Sequence, residues 1–150
     1  MMWKHKNPPD TIFLDRETRL KVPPTVIGDY RCTPFRDDVF TCVIFDPPHA
    51  ARGYKQYKGF KATDPQSDGF YGWNIEKLEL LGGLHRAQRE FQRISRRLCL
   101  KWSNVDFSLW KILPFFKEWR EVHRLEYKIK SHRRVSKMKT WWITFVRGSE

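Results

Sequence analysis

The residues best placed to do chemistry are Asp46-Pro47-Pro48-His49. They follow an apolar run, Val43-Ile44-Phe45, whose β-branched and aromatic side chains predict a buried strand. Proline has no N–H to give a ladder, so the strand must stop at Asp46. An acid and a stiff turn then stand at the carboxyl end of a strand, where open α/β sheets bind ligands. A carboxylate and a backbone carbonyl fixed by prolines can accept the two N–H bonds of an amino group and aim its lone pair. The flat His49 ring can stack on a base. The plainer alternative is a strand followed by an ordinary Pro-Pro loop.

Two further segments must be placed beside this one. Thr11-Ile12-Phe13-Leu14-Asp15 and Thr25-Val26-Ile27-Gly28-Asp29 also read as short strands ending in an acid. Three such strands within 46 residues predict adjacent parallel strands with their carboxyl ends at one rim. The tetrapeptide at Asp46 resembles the (Asp/Asn/Ser)-Pro-Pro-(Tyr/Trp/Phe/His) motif of S-adenosylmethionine-dependent amino-methyltransferases. With Asp29, Pro34-Phe35 and Phe40 ahead of it, the stretch 29–49 is similar to the middle of a class I methyltransferase. The resemblance is specific only there and covers residues 11–147 loosely.

That resemblance implies a Rossmann-like, mostly parallel sheet closed by a C-terminal antiparallel hairpin. It implies S-adenosylmethionine as cofactor, with Asp15 on the ribose, Asp29 near the adenine amine and Phe35 lining the adenine pocket. Asp46, Pro47, Pro48 and His49 would be the catalytic set. Asp15 and Asp29 have a plainer reading, since aspartate starts turns and caps helices well. The chain departs from the family at its first strand. No glycine precedes Gly28, so the Gly-rich cofactor loop is absent, and Pro23-Pro24 interrupts a segment too short for a crossover helix. The N-terminal half is thus shortened. Three readings follow: a minimal enzyme with another cofactor grip, a fragment completed by a partner chain or a second copy, or a degenerate member that only binds.

One hundred and fifty residues suit a single domain, 1–150, with a sizeable core. There is no apolar run of membrane-spanning length and no signal-peptide core at the N-terminus, so a cytoplasmic location is expected. Cys32, Cys42 and Cys99 fit neither a disulfide framework nor a zinc site, and the five histidines lack metal spacing; no metal is expected. The net charge of +12 is one-sided: +1 over residues 1–85 and +11 over residues 86–150. Such an excess is often only a solvated face. Interleaved with Trp and Tyr, it suits nucleic acid, whose phosphates it neutralises and whose bases the rings stack on. An anionic membrane fits less well, because no clean amphipathic helix carries the charge.

Residues 50–73 read as a long loop over the substrate, with Arg52, Lys55 and Lys58 for nucleic acid. Ile75, Leu78, Leu81, Leu84, Ala87, Phe91 and Ile94 recur at helical spacing and predict a helix over 74–96, weakened at Gly82-Gly83. A strand over 97–102 follows, then a helix over 108–119 disturbed by Pro114. Two strands, 119–130 and 140–147, flank a basic connection with Arg133, Arg134, Lys137 and Lys139 as further phosphate contacts. The expected activity is N-methylation of an exocyclic base amine on DNA or RNA. The rivals are a non-catalytic nucleic-acid binder and a methyltransferase for a protein glutamine or small molecule.

Overall fold

The computed structural model describes residues 8–16, 18, 22–47, 77–104, 107–128 and 139–148. Two short strands open it, β1 (Leu14–Asp15) and β2 (Val26–Ile27), followed by β3 (Val43–Phe45). Helix α1 spans Lys77–Ile94 and leads into β4 (Arg97–Ser103). A short helix α2 (Leu109–Ile112) runs into a 3-10 turn (Leu113–Phe116), and the chain ends in the hairpin β5 (Trp119–Lys128) and β6 (Lys139–Arg147).

The strands form two sheets. β1 and β2 pair in parallel as a sheet of their own, and a four-stranded mixed sheet runs β3-β4-β6-β5. Within it only β3 and β4 are parallel; β6 is antiparallel to both β4 and β5. This corrects the expected Rossmann-like, mostly parallel methyltransferase sheet. The three acid-ending strands do not share one sheet, because β1 and β2 pair only with each other. Parallel neighbours in a wound sheet need a crossover of a dozen or more residues, usually a helix. The connection from β1 to β2 is shorter than that and carries Pro23-Pro24, so this parallel pair is not the strand–helix–strand unit from which a wound sheet is built.

α1 forms where the apolar spacing predicts it and runs unbroken through Gly82 and Gly83. Gly83 is buried, and a Cβ there would meet Tyr30 Oη at 3.1 Å, so the bare backbone lets Tyr30 dock on the helix. Tyr30 in turn leans on Phe45 of β3, ring centroids 5.2 Å apart, and so joins the small sheet to the large one. The expected helix over 108–119 is shorter: Pro114 has no N–H for an α-helical ladder and sits at the start of the 3-10 turn.

The core lies on one face of the large sheet. Phe45, Leu98, Leu100, Trp102, Ile143 and Phe145 meet Leu84, Ala87, Phe91 and Ile94 of α1, closed at one end by Leu109, Ile112 and Phe116. The Trp102 indole donates to the Phe107 carbonyl at 3.1 Å, which satisfies its only polar atom. Residues 33–37 are clasped to α1 by charge. Glu90 Oε1 accepts from the Thr33 amide (2.8 Å), the Thr33 hydroxyl (2.6 Å) and Arg93 Nη2 (2.6 Å). Arg93 Nη1 donates onward to the Phe35 carbonyl at 2.8 Å and Asp37 Oδ1 at 2.7 Å. These bonds hold the Glu90 carboxyl down at about 2, Arg93 contributing most.

Candidate nucleic-acid interface

The register of β3 on β4 decides where Asp46 goes. Phe45 lies opposite Leu100, so the next residue stands beside Lys101. Lys101 Nζ donates to Asp46 Oδ2 at 2.6 Å, and the same ammonium lies 5.9 Å from the Trp142 ring centroid. The row Asp46–Lys101–Trp142–Leu125 therefore crosses the sheet from β3 to β5, on the face away from α1. Asp46 is exposed and Pro47 is buried, so the turn is anchored while the carboxylate faces outward. Pro48 and His49 lie outside the described residues, as do Arg52, Lys55, Lys58, Arg133, Arg134 and Lys137 and the whole expected loop over the substrate. Lys139 begins β6 and is tied to Glu126 at 3.0 Å, with its backbone N–H donating to Asn104 Oδ1 at 2.6 Å.

The face away from α1 carries a feature the sequence does not display. A β-bulge places Val122 between Glu121, opposite Phe145, and His123, opposite Thr144. Strict alternation would put Arg120 with Arg124 and Glu126. The extra residue instead puts Arg120 with His123, Leu125 and Tyr127 on the open face, and Glu121 with Arg124 and Glu126 on the helix side. Every acid of β5 thus lies on the helix side, where Glu121 pairs with Arg124 and Glu126 with Lys139. On the open face stand Arg97, Lys101, Arg120, His123, Trp142, Leu125 and Tyr127, and no strand residue there is acidic. Leu125 is 44% exposed and Tyr127 52%. Arg97 and Arg120 are exposed and form no ion pair among the described residues.

The cofactor set folds differently from what the resemblance implies. Parallel pairing does bring Asp15 and Asp29 toward one rim of the small sheet, and Asp15 is exposed. Asp29, however, is clasped by Arg31: the guanidinium donates from Nε at 2.9 and 3.0 Å and from Nη2, and the Arg31 amide adds 2.8 Å. That grip holds the Asp29 carboxyl below the usual range. Phe35 packs edge-on against Phe40, centroids 4.8 Å apart, as part of the core margin. The adenine acceptor and the adenine wall are both spent within the protein. Of the three residues, Asp29 is thus committed to Arg31 and Phe35 to Phe40, while Asp15 stands exposed at the rim.

Desolvation pushes up the thiols of half-buried Cys99 and of Cys42, which keeps part of its surface exposed, and a raised thiol does not suit a nucleophile. Among the described residues no cluster of His, Cys, Asp and Glu could hold a metal ion, and no helix is long and apolar enough to cross a membrane. No family model, curated protein or solved structure matches the chain, so the geometry of this face and rim is what bears on its role.

Proposed function

We propose that the chain binds single-stranded nucleic acid on the open face of its four-stranded sheet. The observation that carries this reading is the sorting of charge across β5, which leaves cations and aromatic rings on one face and sends the acids to the other. Arg97 and Arg120 flank β6 in one row, opposite Val146 from either side, and can reach phosphates. Trp142 and Tyr127 offer rings on which bases stack, a sequence-tolerant contact of about 1–3 kcal/mol per base. The net charge of +12 adds long-range attraction.

The test is fluorescence anisotropy with labelled single-stranded oligonucleotides over a range of salt. Replacing both Arg97 and Arg120 by Gln should lower the slope of log affinity against log salt by about 1.4, or 0.7 per lost contact. An unchanged slope would place the phosphates elsewhere. Absence of binding by the wild type at low salt would remove the reading.

The rim favours a second reading, N-methyl transfer to a base amine. Its support is the position of Asp46 and Pro47 at the carboxyl ends of the parallel pair, where a carboxylate and a carbonyl can hold an amino group. S-adenosylmethionine would supply the activated methyl group, held by residues other than Asp29 and Phe35. Calorimetric titration with S-adenosylmethionine separates the two readings: heat of binding favours the enzyme, and none at millimolar ligand leaves the binder.

A further inference from the structure

At the strand ends, on the helix side of the sheet, lies a cavity of about 330 Å³ lined by Asn104, Ser108, Trp110, Arg124, Glu126 and Trp141, among others. It stands at the same rim as Asp46: Asn104 follows β4, as Asp46 follows the neighbouring β3. Its volume is at the lower end of the range for small-molecule sites. Trp110 projects from α2 and is 69% exposed, the most exposed of the large apolar side chains among the described residues. A tryptophan left in water at the mouth of a cavity is a large unburied apolar surface.

The wall opposite is fixed. Arg124 lies over the Trp110 ring, 5.3 Å from its centroid. Glu121 grips that guanidinium from behind, at 2.8 and 2.6 Å, so its plane is set before any ligand arrives. Glu126 accepts from the Trp141 indole N–H and from Lys139, both at 3.2 Å, which fixes the floor. Ser108 makes no side-chain cap bond to α2 and is part of the cavity lining.

We infer that this cavity receives one nucleobase of the bound single strand, stacked on Trp110 beside the Arg124 guanidinium. Bases stack on indole and on guanidinium planes alike, and the cation favours a neighbouring phosphate. Ser108 offers a hydroxyl to the base edge. The inference rests on the reading of the open face as a nucleic-acid platform: the strand leaves that face at the rim, and one base turns over the edge into the cavity.

The experiment measures anisotropy with labelled adenine-only and thymine-only strands of about 12 nucleotides, within the usual range of site sizes. In parallel, tryptophan fluorescence is followed on titration with adenosine monophosphate. Trp110→Ala should weaken strand binding about tenfold or more with an unchanged salt slope, and should abolish the quenching by the mononucleotide. Trp110→Phe, which keeps a ring, should restore most of the affinity. Strand binding by the wild type that Trp110→Ala leaves intact overturns the base site and spares the platform. Quenching that depends on Trp110 while no strand binds upholds the base site and overturns the platform. No strand binding and no quenching overturns both. Melting curves of each variant confirm folding, which an exposed residue should not disturb.

Discussion

Glu90→Gln tests the clasp that holds residues 33–37 on α1. Glu90 is only 12% exposed, so its charge is little screened by solvent. Its carboxyl falls from an ordinary 4.5 to about 2, Arg93 being the main cause and Thr33 the next partner. A pKa difference of that size, at about 1.4 kcal/mol per pH unit, corresponds to about 3 kcal/mol of stabilisation. Because the folded value lies below the unfolded one, the stabilisation is complete above 4.5 and is lost as the pH falls through about 2. Glutamine keeps the shape and one acceptor but cannot be charged. Urea unfolding of both chains at pH 7, 5, 4 and 3 should therefore show a gap of about 3 kcal/mol at neutral pH. By pH 3 that gap should shrink to about 1–1.5 kcal/mol. The other carboxylates titrate in both chains and cancel in the difference. A gap that stays constant from pH 5 to pH 3 would refute the assignment of the stabilisation to the Glu90 charge. A gap below about 0.5 kcal/mol at pH 7 would refute the clasp itself.

The two glycines of α1 should respond in opposite directions. Among the described residues nothing lies within 4 Å of a Cβ at Gly82, so Gly82→Ala should raise stability by up to about 1 kcal/mol in thermal melts. Gly83→Ala would press Tyr30 from 3.1 Å and should lower it; equal shifts would mean Tyr30 does not pack there. If the methyl-transfer reading holds, Asp46→Ala should cut transfer to a single-stranded substrate by about 10²–10³-fold with an unchanged melt, and wild-type rates would exclude Asp46 from the site.

Much of the helix and of the hairpin was legible because local pattern decides them. The spacing of Leu84, Ala87, Phe91 and Ile94 admits one buried helical stripe, and Trp141 to Val146 is strongly β-prone. The sheet to which β1 and β2 belong was not legible. Strands of two residues carry no partner information, and their acids look alike whether they meet a ligand or an arginine two residues on, as Asp29 does. The Asp46 rim was foreseen from its prolines, but its partner Lys101 is 55 residues away and reads in sequence as one more solvated cation. Glu90 and Thr33, 57 residues apart, escaped for the same reason. The sorting of charge on β5 was hidden by the bulge: a period-two reading of Trp119 to Lys128 mixes acids and bases on both faces.

The bulge gives this hairpin slack at one position. Val122 is 47% exposed, so most side chains would fit in its place and substitutions there should drift with little consequence. Removing the position should be tolerated too: Glu121 already stands opposite Phe145 and His123 opposite Thr144, so the ladder would close into regular alternation with every later side chain on its present face. A slip of register is the damaging event. If Val122 took the place of His123 opposite Thr144, Arg124 and Glu126 would turn to the open face and the Glu121–Arg124 and Glu126–Lys139 pairs would be pulled apart. The potential of that face is thus set by which residue the ladder skips, and not by the side chain that is skipped.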